Sequence, residues 1–460
     1  MTFLIHTYGC QMNVRDTEAV EALLEACGHE RVASEAAADL VIVNSCSVRG
    51  KAEDKALGKL GLLCAAKRDR PDRIVGVMGC MAQRLNEELF RRVPRLDFAV
   101  GTRAAARVPS VVDRVLAGEG PLCELGAGVG EGTETDPLES ASRDDVVVAH
   151  HPGQLQAFVT ILLGCERRCA YCIVPDVRGA EYSRPVQDVV AEVRTVVTAG
   201  AKDVTLLGQS VMRYGIKTEV WPAGSRSPSG FTEPLPRLFE ALHREVPTLK
   251  RIRFTSGHPT GVTADLVRAM REIPSLCPHL HLPVQSGSDR VLERMGRGYT
   301  RAGYLDAVSR LRNAVPDLAL TTDVIVGFPG ETSEDFEETR TLLEQAAVDN
   351  AFIFKYSPRP GTRAADWADD VATHEKMRRN QVLLADQDVR GAEINARWVG
   401  RSVEVLAEGV SLRNKSRWAG RSPQNKIVVF EPSRPVAVGE FVQVRITGAQ
   451  PQTLQGVLAE

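Results

Sequence analysis

Three cysteines in one short loop constrain the fold and chemistry of this chain more than any other feature. The loop reads Gly164-Cys165-Glu-Arg-Arg-Cys169-Ala-Tyr-Cys172, and it follows directly on residues 158–163, an apolar run typical of a β-strand. Three thiolates this close in sequence can hold three corners of a four-iron cluster and leave the fourth iron open to another ligand. Zinc is the alternative, but a structural zinc site normally has four protein ligands.

Three further cysteines, Cys10, Cys46 and Cys80, each follow a predicted strand in the first 117 residues. A helical stretch comes after each of them, which predicts an open parallel α/β sheet. Ligands of such sheets bind beyond the carboxyl ends of the strands, so we expect these thiols to converge. Helix N-termini there would favour an anionic cluster, and the pattern indicates a second iron-sulfur site. The alternative is that they are small buried side chains.

The ten cysteines of the chain also bear on its redox compartment. The apolar start, Met1 to Ile5, is too short for a signal peptide, and no apolar run approaches the ~18 residues of a membrane span. We therefore expect a cytoplasmic protein, with no membrane contact, whose thiols bind metal and form no disulfides. Four cysteines have no partner at a useful spacing and are predicted to be structural: Cys27, Cys64, Cys123 and Cys277.

Hydrophobic periodicity divides the chain into three domains and a linker. Residues 1–117 form the α/β domain, and residues 118–153, rich in Gly, Glu, Ser and Thr, are predicted to be an acidic linker. Residues 154–390 alternate strands and helices and predict a partial (βα)6 barrel. Residues 391–460 are all-β and have the size of a small barrel. The six central strands are expected at Phe158–Leu163, Asp203–Leu207, Arg251–Thr255, His279–Pro283, Ala319–Gly327 and Ala351–Tyr356, followed by a helix at Ala372–Ala396.

A basic segment near the C-terminus suggests contact with nucleic acid. The net charge is -2, so any such contact must come from a local patch. Residues 413–426 contain five basic residues and no acidic one. Their charges would neutralise phosphates, and Trp418 could stack on an unpaired base, although a solvated hairpin is the alternative. The candidate contacts are Arg413, Lys415, Arg417, Trp418, Arg421 and Lys426.

Several motifs resemble the methylthiotransferase family of the radical S-adenosylmethionine superfamily. Besides the cysteine loop, they are His6 to Asn13, Cys46 to Arg49, Gly79 to Arg84, Arg251 to Ser256, His281 to Gly287 and Asp323 to Glu331. The start Tyr-Gly-Cys-Gln-Met-Asn is most similar to the tRNA-modifying branch of that family. Two stretches depart from its pattern: Asp176-Val177 replaces Tyr-Thr, and Ser210 to Arg213 replaces Asn-Val-Asn.

The resemblance implies an enzyme with two [4Fe-4S] clusters that uses S-adenosyl-L-methionine. It would add a methylthio group to C2 of N6-isopentenyladenosine next to the tRNA anticodon, a C-H substitution that polar side chains cannot perform. The cluster on Cys165, Cys169 and Cys172 would cleave S-adenosylmethionine, and the cluster on Cys10, Cys46 and Cys80 would hold the sulfur. The residues that the resemblance places at the cofactor are Tyr171, Ser256, Gln285, Asp323 and Gly327. Ser256 and Gln285 could equally be hydrogen-bonding caps of strands.

The resemblance also implies partners. The C-terminal domain is similar to the TRAM module of tRNA-modifying enzymes, so the anticodon loop of tRNA is the expected substrate. A flavodoxin or ferredoxin is the expected electron donor, and we expect a monomer.

Three alternative functions remain open on the sequence. They are methylthiolation of threonylcarbamoyladenosine in tRNA, methylthiolation of an aspartate of a ribosomal protein, and a non-catalytic iron-sulfur regulator that binds RNA. The Gln11-Met12-Asn13 start argues against the first two, and a regulator has no use for a cofactor barrel.

Overall fold

A computed structural model of the chain describes residues 1–48, 50–126 and 153–459. Arg49, and most of the expected linker, therefore lie outside the described residues. The part before residue 127 is an α/β unit built on one six-stranded parallel sheet with the order β2-β1-β3-β4-β5-β6. Its elements are β1 (Thr2–Tyr8), α1 (Gln11–Ala26), β2 (Glu30–Arg31), β3 (Leu40–Ser45), α2 (Gly50–Ala66), β4 (Ile74–Met78), α3 (Cys80–Leu85), α4 (Glu88–Arg92), β5 (Phe98–Val100), α5 (Val108–Leu116) and β6 (Leu122–Glu124).

The sixth strand corrects the expected start of the linker at residue 118. Leu122 pairs with Phe98 in parallel register, so β6 continues the sheet beyond β5. The side chain of Leu122 packs against the hydrophobic core beneath β5. The sequence did not indicate this contact, because Leu122 lies in a segment rich in Gly and Glu. Cys123, expected in the linker, therefore lies in a strand.

The central unit contains six parallel strands in two three-stranded sheets, β11-β10-β7 and β12-β13-β14. A parallel bridge between Ile252 and Leu276 joins the two sheets, which gives the open six-stranded barrel that the sequence predicted. Its elements are β7 (Gln156–Thr160), β8 (Leu162–Leu163), α6 (Val174–Arg178), β9 (Tyr182–Ser183), α7 (Val186–Thr198), β10 (Asp203–Leu207), α8 (Pro234–Glu245), β11 (Arg251–Phe254), α9 (Ala264–Glu272), β12 (His279–His281), α10 (Asp289–Met295), α11 (Arg301–Ala314), β13 (Ala319–Val326), α12 (Ser333–Gln345), β14 (Asn350–Lys355) and α13 (Thr373–Ala396).

The last five strands close into a small barrel with the order β15-β16-β17-β19-β18. They are β15 (Ser402–Val410), β16 (Trp418–Arg421), β17 (Ile427–Glu431), β18 (Phe441–Ala449) and β19 (Thr453–Leu458). The expected domain boundary at residue 390 falls inside α13, which continues to Ala396. This last turn of the helix is held by the C-terminal barrel, because Asn395 Nδ2 donates to the carbonyl of Gln450 at 2.8 Å.

The C-terminal barrel docks on the amino ends of the central strands. Arg251, the first residue of β11, donates to the carbonyl of Arg421 at 2.6 Å and to Glu404 Oε1 at 3.0 Å. Arg253 Nη2 donates to the carbonyl of Ser422 at 2.9 Å. Lys426 Nζ lies 2.7 Å from Asp349 Oδ1, one residue before β14. The opposite, carboxyl ends of the strands are thus left for the cysteine loop.

Candidate metal centres

Two buried asparagines bring the first three cysteines together at the carboxyl ends of β1, β3 and β4. Asn13 Nδ2 donates to Asn44 Oδ1 at 3.0 Å, and Asn44 Nδ2 returns a bond to the carbonyl of Asn13 at 2.8 Å. Asn13 Oδ1 also accepts from the backbone N-H of Cys10 at 3.2 Å. Both asparagines are completely buried, so one hydrogen-bonded pair fixes the loops that carry Cys10 and Cys46.

The third loop of this trio reaches the same point through a glycine. Gly79 has φ +95°, and a Cβ at this position would lie 2.4 Å from Asn44 Oδ1 and 3.0 Å from the carbonyl of Ser45. Only a residue without a side chain fits here, and it delivers Cys80 to the start of α3. The structure therefore places Cys10, Cys46 and Cys80 at one edge of the sheet, as predicted from the strand ends.

The electrostatics of the trio favour a thiolate at Cys10. A hydrogen bond from the Cys46 thiol, helped by the charge of Arg178, lowers the pKa of Cys10 to about 6, whereas the pKa of Cys46 rises. Burial raises the pKa of Cys80. Iron binds thiolates, so loading this site releases protons, and the site begins with one anionic ligand near neutral pH.

The second trio lies in the loop after β8, against the carboxyl end of the barrel. Gly164 has φ +75°, and a Cβ there would lie 1.9 Å from the carbonyl of Ala180, so the loop presses on the strand that follows α6. Cys165 N donates to the carbonyl of Gly179 at 3.1 Å, and Cys172 N donates to that of Cys169 at 3.1 Å. The start of the loop is thus held against the segment that follows α6, and its end forms a tight turn from Cys169 to Cys172.

A buried arginine that the sequence analysis missed faces this second trio. Arg297 Nη1 lies 3.5 Å from Cys169 Sγ, and Nη2 donates to the carbonyl of Pro283 at 3.1 Å. Burial raises the pKa of Cys172 to about 12 and also raises that of Cys165. The guanidinium supplies the positive charge that an anionic thiolate cluster needs in so dry a site. Its partner is 128 residues away, so no local pattern could have identified it.

Both trios suit a cluster better than a single metal ion. Within residues 1–48, 50–126 and 153–459, no three Cys, His, Asp or Glu side chains are arranged to hold one ion. A structural zinc site normally has four protein ligands, whereas each trio offers three thiols, the number that leaves one iron of a four-iron cluster open. Each trio also has a tight glycine cradle, and the second has a buried cation. The residues present therefore fit two three-cysteine clusters.

Four of the five residues expected at the cofactor lie at or beyond the carboxyl ends of the barrel strands, and the fifth, Asp323, lies within β13. Ser256 and Gln285, which follow β11 and β12, have φ +57° and +71°, a strained conformation that non-glycine residues keep mainly at functional sites. Gly327, after β13, has φ +69°. The Tyr171 ring makes an edge contact with Phe328 at 6.4 Å between centroids. Asp323 Oδ2 lies 3.4 Å from His281 Nε2, on the inner face of β13.

Unpartnered buried polar groups mark additional contacts that the sequence analysis did not assign. The Gln209 side chain, which follows β10, has both its amide oxygen and nitrogen buried with no partner among the described residues. His258 Nε2, after β11, is also buried and unpartnered there, and burial together with Arg297 and Arg167 lowers the pKa of His258 to about 2. A buried amide left open costs about 1–3 kcal/mol, so Gln209 is prepared for a polar ligand at this mouth.

Five of the six candidate nucleic-acid contacts are exposed or half-buried, and the sixth, Lys426, is largely buried. Arg413 and Lys415 are exposed on the turn between β15 and β16, and Arg417 and Trp418 are half-buried beside it. Arg421 lies 3.4 Å from Glu408. Lys426 is corrected as a contact: its ammonium is largely buried and holds Asp349 and Asn395 Oδ1 across the domain interface, at 2.7 and 2.8 Å.

Comparisons with known proteins agree with this architecture. Three family models match the chain: uncharacterized protein family UPF0004 over residues 2–101, the radical SAM superfamily over 159–343, and the TRAM domain over 396–459. The tRNA-2-methylthio-N(6)-dimethylallyladenosine synthase of Akkermansia muciniphila is 47% identical over 98% of both chains. The enzyme of the same name from Methylacidiphilum infernorum is 41% identical over 98% of this chain and 93% of its own.

Among solved structures, a radical S-adenosylmethionine methyltransferase, TsrM from Kitasatospora setae, has a similar fold. That structure contains cobalamin and a [4Fe-4S] cluster. It superposes with a TM-score of 0.56 and 13% identity, covering 79% of this chain and 74% of its own. At this identity the likeness is one of fold. Across the described residues, no helix is both long enough and apolar enough to span a lipid bilayer.

Proposed function

The chain belongs to the family of tRNA-2-methylthio-N(6)-dimethylallyladenosine synthases, and from this premise we propose how its residues divide the reaction. The enzyme is a radical S-adenosylmethionine methylthiotransferase that uses [4Fe-4S] clusters. It places a methylthio group on C2 of N6-isopentenyladenosine next to the tRNA anticodon. No comparison favours threonylcarbamoyladenosine, a ribosomal protein or a regulatory role.

In this proposal Cys165, Cys169 and Cys172 hold the cluster that binds S-adenosylmethionine. Such a cluster supplies the one-electron chemistry that an unactivated C-H bond requires. The support is the position of the loop at the carboxyl end of the barrel, where the unpartnered amide of Gln209 offers both a donor and an acceptor to the cofactor. Arg297 holds Cys169 and offsets the charge of the thiolates.

Cys10, Cys46 and Cys80 hold the second cluster, from which the sulfur is delivered. The support is the Asn13-Asn44 pair, which aligns the loops of Cys10 and Cys46. Beside this pair only a glycine fits at position 79, directly before Cys80. The two trios lie close to one another. Ile173, the residue directly after Cys172, packs against Cys80 in one buried apolar cluster.

We propose further that tRNA is gripped by Arg413, Lys415, Arg417, Trp418 and Arg421 on the C-terminal barrel, while the anticodon loop reaches the cysteines. The electron donor is a flavodoxin or ferredoxin, and the enzyme works as a monomer in the cytoplasm. The proposed division is an α/β domain (1–117), a linker (118–153), the radical S-adenosylmethionine barrel (154–390) and the RNA-binding barrel (391–460). Two of these bounds shift in the structure, because the first sheet continues through β6 and the last helix of the central domain continues to Ala396.

The observation that carries the proposal is that α6 connects the two three-cysteine sets. This helix begins two residues after Cys172 and packs against Cys80. The test uses enzyme reconstituted anaerobically with iron and sulfide, S-adenosylmethionine, a reductant, and an anticodon stem-loop carrying N6-isopentenyladenosine. Mass spectrometry should find the 2-methylthio product with wild type. We expect Cys165→Ala to form neither 5′-deoxyadenosine nor product, and Cys10→Ala to form 5′-deoxyadenosine without product.

Cys27→Ala is the matched control, because Cys27 is exposed at the end of α1, and it should behave as wild type. Formation of 5′-deoxyadenosine at the wild-type rate by Cys165→Ala would contradict the assignment of the first cluster. A methylthio product on a stem-loop that carries threonylcarbamoyladenosine instead would contradict the substrate.

A further inference from the structure

One arginine of the central barrel reaches into the first domain and ends beside its cysteines. Arg178 is the last residue of α6, the short helix that begins two residues after Cys172. Its Nη2 lies 2.6 Å from Asp16 Oδ2 and its Nη1 lies 3.3 Å from Asp16 Oδ1, a two-pronged ion pair across the domain boundary. Only 6% of the Arg178 side chain and 12% of the Asp16 side chain are exposed.

The helix that carries Arg178 is fastened to the first trio by packing as well as by charge. Cys80 forms one buried apolar cluster with Ile173 and Val177, which lie one helical turn apart on the same face of α6. Thr102 Oγ1, after β5, donates to the carbonyl of Val177 at 2.5 Å. Arg178 therefore cannot swing away from Cys80 without breaking several contacts of its own helix.

The charge of Arg178 acts directly on the thiols. The helix of Arg178 packs on Cys80 through Ile173 and Val177, and its partner Asp16 lies in α1, the helix that begins directly after Cys10, so the guanidinium lies beside these thiols. Asp16 uses part of the guanidinium, which has five N-H donors in a rigid fork, so donors remain for sulfur.

We propose that Arg178 is a positioning residue for the second cluster: supplied by the barrel, it holds the Cys80 thiolate and raises the reduction potential of the cluster on Cys10, Cys46 and Cys80. The inference rests on the proposed function, because it requires that cluster. A reduced cluster carries one more negative charge, so a nearby cation stabilises it, and charge and hydrogen bonds to sulfur set cluster potentials. The first domain's site is then complete only when α6 is docked.

The test is a redox titration of the second cluster, followed by electron paramagnetic resonance. It is made on the full chain with Cys165, Cys169 and Cys172 changed to alanine, so that only this cluster is present. The variants are Arg178→Gln, Arg178→Lys and Asp16→Asn. Arg15→Gln is the matched control, because Arg15 also makes a buried ion pair between the domains, 3.0 Å from Glu192, without contacting a thiol.

We expect Arg178→Gln to lower the midpoint potential, Asp16→Asn to raise it, and Arg178→Lys to lie between Arg178→Gln and the parent, with Arg15→Gln unchanged. A merely structural role would not move the potential in opposite directions for the two partners of one ion pair. Equal shifts in Arg15→Gln, shifts of one sign in Arg178→Gln and Asp16→Asn, or no shift in Arg178→Gln would overturn the inference.

Iron content keeps the test decisive if the cluster is lost. Should Arg178→Gln fail to retain iron, Arg178→Lys must retain it and Arg15→Gln must match the parent; loss in Arg15→Gln as well would show a general effect of domain docking and refute the inference. The proposed function fails separately. If the parent with only the first-domain cysteines binds no cluster at all, or if Cys10→Ala still makes product, the second cluster itself is wrong.

Discussion

At the scale of single residues, Gly79 is the position where the first cysteine site has least freedom. It combines a positive φ with a neighbour, Asn44 Oδ1, that would lie 2.4 Å from any Cβ. We expect Gly79→Ala to push Asn44 out of its bond with Asn13 and to leave buried amide groups unpaired, at a cost of about 2–4 kcal/mol. Urea unfolding and the iron content after reconstitution measure the two effects.

Gly118→Ala is the matched control for this prediction. Gly118 also has a positive φ, +89°, but a Cβ there would meet nothing within 4 Å. It should lose only about 1 kcal/mol, the cost of the backbone conformation, and should keep the iron content of wild type. If the two variants lose stability and iron equally, the Asn13-Asn44 pair does not organise the site.

The same scale shows why the cysteines could be predicted and their supports could not. Spacing alone identifies Cys165, Cys169 and Cys172 as a ligand set. Their positions at the ends of predicted strands identify Cys10, Cys46 and Cys80. Arg178 and Arg297 act on sulfur atoms of loops far away in sequence, and arginine is common. Gln209 directly precedes a stretch that departs from the family pattern, but its role depends on having no partner among the described residues, which only the fold reveals.

At the scale of elements, the amino end of β12 places a buried histidine among cations. His279 begins that strand with Nδ1 unpartnered among the described residues. Burial, then the charges of Arg253, His281, Arg421 and Lys426, keep its pKa well below the usual value near ~6.5. The unfolded chain therefore binds a proton there that the native chain does not, so stability is full above about pH 6.5 and falls as the pH falls.

We expect His279→Gln to flatten the loss of unfolding free energy between about pH 6.5 and 5, by up to about 1.4 kcal/mol per pH unit. Urea unfolding at several pH values measures this slope. Part of the slope should remain, because His258 has a lowered pKa for the same reason. The exposed His374, changed to Gln, should leave the slope as in wild type; an equal flattening in both variants would refute the prediction.

The elements themselves were largely predictable, and the exceptions have a physical cause. The strand expected at Asp203–Leu207 has those bounds, β13 ends one residue earlier than expected, and β14 is shifted by one residue at both ends. These strands are rich in β-branched and apolar residues and are bounded by polar turns, which makes them recognisable in the sequence. The short edge strand β6 was missed because three residues carry no period, and its pairing with β5 rather than its composition makes it a strand.

At the scale of the whole molecule, the exposed turn between β15 and β16 is the surface that we expect to hold RNA. Replacing both Arg413 and Lys415 by Gln should weaken binding of the anticodon stem-loop and reduce the slope of log affinity against log salt by about 1.5, at ~0.7–0.9 per phosphate contact. Fluorescence anisotropy at several salt concentrations measures this slope.

Two variants sharpen that prediction. Arg91→Gln, an exposed basic residue of α4, controls for net charge and should leave the slope unchanged. Lys426→Gln should also leave it unchanged, because Lys426 is engaged with Asp349 inside the protein. A reduced slope in Lys426→Gln, with none in the double variant, would move the RNA surface to the other side of this barrel.

The C-terminal barrel docks on the amino ends of the central strands, whereas the cysteine loop lies at their carboxyl ends. The longest of these strands, β13, has eight residues, about 26 Å. If the barrel holds the RNA, as we propose, only a substrate that spans this distance can contact the barrel and the cysteines at the same time. The proposal then implies that RNA is selected by its length as well as by the base that it presents.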